Sequence, residues 1–312
     1  MTTNREIPAT GTRLRHDAFV YDSDEQFAVG IAGFLARGLE EDAAAVAVTS
    51  RNNCALLREA LGDRASSVQF TDRDECYVRP AKALARYDAT LRHHLDRGAP
   101  SVRVVAEIQF GPTQAEWDEW TAYEAIANRA FADRPAWIVC PYDARVLPDS
   151  VIESAWRVHA NVIATESQPS ALYDEAENIV RALAPKHELL PDLEPLAAAP
   201  NAQTFRELLA ARLAGAGVLG TRTLDMLVAA NEVFANATNH GGGVVAARTG
   251  QVDGRFVCEI SDAGGGLDDP LAGYLPPKSE HEPGAGLWIA RQLLWRVDLN
   301  STPYGLTVRL WL

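Results

Sequence analysis

Glu232, Asn236 and His240 recur at every fourth position, which places them on one stripe of a helix with Asp225 and Asn239 close beside it. Carboxylate and amide oxygens in such a row are hard donors, the kind that Mg2+ accepts in small number while keeping its waters. Asp262 closes a run, Arg255 to Ser261, that reads as a strand, and it is delivered into the turn Gly264-Gly265-Gly266. A carboxylate at that place can accept hydrogens from an amino group. Further on, Gly284-Ala285-Gly286 opens a helix at Leu287. Glycines admit close backbone approach, and the unpaired N–H groups of a helix start attract anions.

The elements that must hold these groups are legible around them. Leu224, Met226, Leu227, Ala230, Val233, Phe234 and Ala237 form the apolar face opposite the Glu232 stripe, and the helix stops at Gly241-Gly242-Gly243. A polar, proline-bearing lid, Leu267 to Pro283, precedes a helix predicted over Leu287 to Val297. Tyr304 to Leu312 alternates as a half-buried strand that carries Thr307. Upstream, Phe205 to Leu213 reads as a helix closed by Gly215 and Gly217.

This order (Glu-x3-Asn helix, Asp-x-Gly-x-Gly turn, Gly-x-Gly helix start, Gly-x-Thr strand) resembles the Bergerat ATP-binding fold of gyrase, histidine kinases and MutL. Within that superfamily it is most similar to the anti-sigma-factor serine kinases of bacterial partner switching. The resemblance covers the last third of the chain, and it implies an α+β sandwich that binds ATP or ADP with Mg2+. It assigns Asn236 to the metal, and Asp262, Gly264, Gly266, Gly284, Gly286, Leu287 and Thr307 to the nucleotide. It assigns Glu232 as general base for an attacking serine hydroxyl. The implied partners are a sigma factor and an anti-sigma antagonist protein. His240 reads as a helix-end residue facing the C-terminal dipole. The chain departs from many relatives at Ala285, where they carry a basic residue, and its lid sets Lys278 against Asp268, Asp269, Glu280 and Glu282.

At 312 residues the chain has the length of about two domains, and 47% hydrophobic with 23% charged residues is ordinary for globular protein. A formal net charge of −13 argues against nucleic acid or an anionic membrane as the main partner. Long apolar runs are missing and the first residues lack a signal-peptide core, so a cytoplasmic protein is expected. Cys54, Cys76, Cys140 and Cys258 show no paired spacing, so the sequence suggests neither a zinc site nor a disulfide framework.

The first half alternates short apolar runs with helical ones, from AFVY through AAVAVTS, SVQF and SVRVVAEI to AWIVCPY. Strands alternating with helices of that length predict an α/β domain with a largely parallel sheet over 13–165. The position after its first strand holds Asp22, Asp24 and Glu25 rather than the glycines and lysine of a phosphate loop, so no nucleotide is expected there. RHDAFVYDSDEQF, RVVAEI with WTAYEAIAN, and WIVCPYDARVLPDSVIESAWRVHANVI resemble the MEDS domain, a sensory relative of the RecA-like fold. The resemblance implies a small-molecule ligand and draws attention to His16, Glu107, Cys140, Tyr142 and His159. A buried histidine or cysteine is more often structural, and Trp117, Trp120 and Tyr123 at helical spacing read as packing. Residues 166–185 read as a connector, with a helix over Ala171 to Leu183 that serves as spacer or dimer contact, and 186–312 as the ATPase domain. A histidine kinase would need a phospho-accepting histidine in the connector. His187, beside Pro185 in a proline-broken stretch, is the residue available for that role.

Overall fold

A computed structural model of the protein describes residues 13–164, 166–184, 188–277 and 284–312. His187, Lys278, Glu280 and Glu282 lie outside the described residues, as does the end of the connector at Pro185. The chain divides into two compact units after Leu183.

The first unit comprises β1 (Arg15–Tyr21), α1 (Asp24–Glu40), β2 (Ala44–Thr49), α2 (Arg51–Leu61), β3 (Val68–Asp72), the single turn α3 (Arg73–Cys76), α4 (Pro80–Asp96), β4 (Val102–Ala106), α5 (Gln114–Ala130), β5 (Ala136–Asp143), α6 (Asp149–Val158), β6 (Asn161–Ile163), β7 (Ser167–Pro169) and α7 (Ala176–Leu183). The strands form one sheet in the order β3-β2-β4-β5-β1-β6-β7, parallel except for the β6–β7 pair. Every residue of β4 is buried, as a strand covered by helices on both faces requires. Helix starts are set by local chemistry. Ser23 and Ser50 accept the Gln26 and Asn53 amides, and Thr113 forms a reciprocal capping box with Glu116.

Side-chain alternation decides what each sheet face carries. In β1 and β5 the pairs His16↔Ile138, Ala18↔Cys140 and Val20↔Tyr142 share one face. Phe19, Tyr21 and Val139 point the other way into a core with Phe27, Ile31 and Leu35 of α1. Of the aromatic stripe on α5, Trp120 and Tyr123 are buried, whereas Trp117 is half-buried with its indole N–H donated to the Gly111 carbonyl. The connector helix is shorter than expected, beginning at Ala176, and it packs against α5 through buried Ala176 and Ile179.

The second unit comprises β8 (Glu194–Pro195), α8 (Ala202–Gly215), α9 (Thr221–Asn239), β9 (Val244–Val252), β10 (Arg255–Asp262), α10 (Ala285–Leu293), β11 (Arg296–Thr302) and β12 (Gly305–Trp311). Its sheet is antiparallel in the order β11-β12-β10-β9-β8. The helices cover one face, burying Phe205, Leu209, Met226, Val233 and Phe234 against Cys258, Ile260, Val308 and Leu310. On the cross-strand ladder, Arg309 pairs with buried Glu259 at 2.7 Å and also reaches the Glu188 carbonyl, while Arg248 donates to the carbonyls of Leu190 and Leu193. The segment after the connector is thereby tied to this sheet.

Three expectations are corrected. The helix opened at Gly286 ends at Leu293, not Val297, because the chain turns back to pair Arg296–Thr302 with β12, starting from the bond of Trp295 N to the Trp311 carbonyl at 3.1 Å. Val244–Val252 is a strand that the sequence did not announce, its burial following no clean alternation. Leu224 is 62% exposed and so leaves the apolar face of α9. Phe205 stacks on Phe234 with ring centroids 4.5 Å apart at the centre of this core. Phe205→Ala is expected to destabilise the second unit by about 3–5 kcal/mol, read as a lower urea midpoint for that unit's transition with the first unit's unchanged.

Candidate functional site

β10 reaches Asp262 through a register slip, Ser261 opposite Ala246 but Asp262 opposite Val244, and bulges of this kind re-aim a side chain at a strand end. Asp262 Oδ1 accepts two backbone hydrogen bonds, from Gly264 N at 3.0 Å and Leu306 N at 2.9 Å. Its Oδ2 lies over Gly241, where a Cβ would come within 2.5 Å. Gly305, at φ +150°, brings its backbone so near that a Cβ would meet the Asp262 carbonyl at 2.2 Å. Gly241 and Gly305 thus join Gly264 around one carboxylate, whereas from the sequence Gly241 reads only as a helix stop and Gly305 only as the glycine of the Gly-x-Thr strand. On the adjoining strand Thr307 Oγ1 lies 2.9 Å from Ser261 Oγ.

Glu232 and Asn236 stand one turn apart on α9 and are both half-buried. They face the start of α10, since a Cβ on Gly286 would lie 3.0 Å from both Asn236 Nδ2 and Glu232 Oε2. Gly284, at φ +98°, precedes that helix. Among the described residues no side chain caps the first-turn N–H groups of α10 around Leu287, a position suited to an anion. Gly266 has a different task. Its Cβ would collide with the Thr302 carbonyl at 2.3 Å, so it lets the turn pack on β11. His240 is exposed at the C-cap of α9, its N–H bonded to the Asn236 carbonyl.

Arg291, the cation on α10, is committed elsewhere. It donates to the carbonyls of Ala272 at 3.2 Å and Val297 at 2.9 Å, and its guanidinium sits 3.7 Å over the Tyr274 ring. Gly273 packs so closely on Leu287 that a Cβ would come within 2.6 Å of it. The described base of the lid is thus fastened to α10.

In the first unit the turn after β1 offers no anion seat. Ser23 caps α1, Gln26 takes the Asp22 amide, and Asp24 is paired with Arg145 at 2.8 Å. Glu107 follows β4 and organises a network of its own, accepting from Thr49 Oγ1, Ser50 N, Asn53 Nδ2 and Arg73. The other sensory candidates meet. His16 Nε2 lies 3.1 Å from Cys140 Sγ and 3.2 Å from His159 Nε2, and the Tyr142 hydroxyl donates to Glu124 Oε2. Glu124, 1% exposed on α5, is the member that sequence reasoning passed over. Its signal was a carboxylate at i+4 from Trp120 and adjacent to Tyr123, inside the buried stripe. Burial lowers His16 to about 4, against the pull of its Asn128 hydrogen bond, and holds His159 well below the ordinary imidazole range. Burial also pushes Glu124 up to about 7, with the Tyr142 bond opposing, and raises the Cys140 thiol well above its usual value.

Comparison with known families decides what these two units are. Residues 15–160 match the model of the MEDS family, "MEthanogen/methylotroph, DcmR Sensory domain", and residues 196–312 match that of the histidine kinase-like ATPase domain. The chain joins a MEDS sensory domain to a histidine kinase-like ATPase domain. No curated protein matches the chain. Among solved structures, the cytoplasmic domain of EssC aligns at 12% identity with a TM-score of 0.30, over 58% of this chain and 35% of that one, so the chain spans about a third of that structure. Among the described residues no helix is long and apolar enough to cross a membrane.

An ATPase domain of this type implies nucleotide binding, and the residues present fit such a guest. Three glycine backbones close around Asp262, and an uncapped helix start lies beside Asn236 and Glu232. Asp262→Asn keeps an oxygen for the Gly264 and Leu306 amides while removing the charge. It is expected to weaken adenine-nucleotide affinity about 10- to 100-fold, the loss of one charge-assisted hydrogen bond, with the thermal transition retained; unchanged calorimetric affinity would remove Asp262 from the site. The same titration on the wild-type chain is expected to saturate at one nucleotide per chain, since the MEDS domain lacks an anion seat after β1. A second equivalent surviving in the variant would contradict that reading.

Proposed function

We propose that the protein is an ATP-binding anti-sigma regulatory factor with serine-kinase activity, controlled by its MEDS domain. The observation that carries the reading is the convergence of Glu232 and Asn236 on Gly286 at the start of α10. A candidate general base and a candidate metal ligand there flank a helix terminus suited to phosphate. Asp262 would recognise the adenine amino group, and the α10 amides would hold phosphate oxygens. Asn236 would hold Mg2+ through its amide oxygen, and the ion would supply neutralisation of phosphate charge. Glu232 would take the hydroxyl proton as the serine oxygen of an anti-sigma antagonist bonds to the γ-phosphorus and ADP leaves with the electrons of the broken P–O bond. The partners of this reading are that antagonist and a sigma factor.

A second reading, a nucleotide-gated binding module without phosphotransfer, is favoured by the engagement of Arg291 with Ala272, Val297 and Tyr274 and by the uncharged Ala285. A γ-phosphate lacking a fixed cation loses transition-state stabilisation of roughly 10²-fold or more.

Glu232→Gln separates the readings. It preserves shape and helix propensity, and it is expected to lower phosphotransfer to the antagonist by about 10²–10⁴-fold with nucleotide affinity little changed. Loss of Mg2+-dependent nucleotide binding in the same variant would instead make Glu232 a support of the metal through water. Wild-type protein that binds its antagonist only with ATP and transfers nothing would establish the binding module.

A further inference from the structure

We propose that His16, Glu124, Cys140 and His159 form a binding site for one divalent transition-metal ion, zinc by its donor set, inside the MEDS domain. The four donor atoms lie within 4.8 Å of one another and all four residues are buried. They come from separate elements: β1, α5, β5 and the residue that closes α6. The sequence spacing of the cysteines therefore carried no sign of a site, contrary to the usual paired pattern. Zinc bonds of about 2.0–2.3 Å in a tetrahedron put neighbouring donors roughly 3.3–3.8 Å apart. The observed separations are 3.1 Å for His16 Nε2 to Cys140 Sγ, 3.2 Å between the two Nε2 atoms, and 3.8 Å for His159 Nε2 to Glu124 Oε1.

The hydrogen bonds behind the donors fix which atoms face inward. His159 Nδ1 lies 2.9 Å from the Ala155 carbonyl, which can only accept, so Nδ1 bears the proton and Nε2 the lone pair. Asn128 donates its amide N–H to the Val158 carbonyl at 2.9 Å, which turns its oxygen to His16 Nδ1 at 3.0 Å. That ring is also protonated at Nδ1 and also presents a lone pair at Nε2. Two imidazole lone pairs therefore point at each other across 3.2 Å, an arrangement that repels unless a cation lies between them. Among the described residues Glu124 Oε1 is buried beside them without a hydrogen-bond partner of ordinary geometry, the Cys140 thiol lying close to the carboxyl, while Oε2 is held by Tyr142. Second-shell donors that lock the tautomer and aim the ring are what metal-ligating histidines carry.

Charge points the same way. A divalent ion with one thiolate, one carboxylate and two neutral imidazoles sums to zero, the balance a fully buried site tolerates. Nitrogen and sulfur donors with one carboxylate exclude Mg2+ and Ca2+ and suit zinc and its neighbours. Tyr77, Tyr87, Ile108 and Phe131 line a small cavity that His16, Glu124 and Cys140 also border, so the site opens on an aromatic chamber.

The test uses the full-length protein purified from cells grown in cobalt-supplemented, zinc-poor medium, because Co2+ replaces zinc and reports its ligands optically. The expected result is one cobalt per chain, the strong visible bands of tetrahedral Co2+, and a near-ultraviolet thiolate-to-cobalt band. That band is expected to vanish in Cys140→Ser and persist in Cys54→Ser, since among the described residues Cys54 belongs to no such cluster. His159→Gln serves as the second variant where Cys140→Ser fails to fold, with loss of the tetrahedral bands expected. A cobalt-free protein, weak octahedral bands without the thiolate transition (the mark of surface sites such as His93 and His94), or a thiolate band that survives Cys140→Ser would each overturn the proposal.

Discussion

The second unit depends on how near backbone can come to one carboxylate. Gly241 at the end of α9, Gly264 in the turn after β10 and Gly305 at the head of β12 are far apart in sequence, yet each has Asp262 or its backbone inside the volume of a missing Cβ or just beyond it. Any larger residue at Gly241 or Gly305 would push apart α9, β10 and β12, which together hold the carboxylate and the two amides that grip Oδ1. The constraint at Gly286 is of the same kind: a side chain there would force α10 away from Glu232 and Asn236. These glycines set where two helices and two strands can meet, and the polar groups of the site follow from that meeting.

The MEDS domain shows the opposite treatment of polar groups. His16, Glu124, Cys140 and His159 are sealed between the sheet and α5 and α6, where burial disfavours charge and each polar atom needs a partner. Apolar side chains of like size would satisfy the packing with no desolvation cost, so packing gives no reason for a cluster of four ionisable groups. Asn128, the Ala155 carbonyl and Tyr142 each orient one member from behind. Burying four such groups costs stability that these orienting contacts offset only in part.

Much of this organisation was legible in the residues, because the central strands of the first unit are buried apolar runs and α1, α2 and α5 start at serine or threonine caps. Asn236, Asp262 and Gly286 were named from short motifs, which encode local geometry, and the structure sets Asn236 against Gly286. The rest was invisible where long-range pairing overrides local preference. Trp295 to Val297 continues a helical pattern but is recruited to the sheet by β12. Val244–Val252 lacks alternation because its exposure varies along its length. Gly241 and Gly305 matter through contacts with Asp262 across 21 and 43 positions of sequence, and Glu124 only through the packing of α5 that brings it to Tyr142 and His159. Such residues are identified by what they touch, which no spacing rule supplies.

For a ligand of the first domain to alter the second, it must bind two states of the chain with different affinity. The covalent route available to that coupling is specific. α5 carries Glu124 and Asn128, which reach the buried cluster, and it also seats α7 through Ala176 and Ile179, helped by the Arg129–Glu177 pair at 3.1 Å. α7 ends at Leu183, where the first unit ends, and the chain resumes in the second unit with Glu188 and Leu190 held by Arg309 and Arg248. Those arginines share Glu259 on β10, the strand that delivers Asp262. Within the first unit a displacement of α5 would act on α7, and within the second Glu188 and Leu190 are tied through Arg309 and Arg248 to β10, the strand that ends in Asp262.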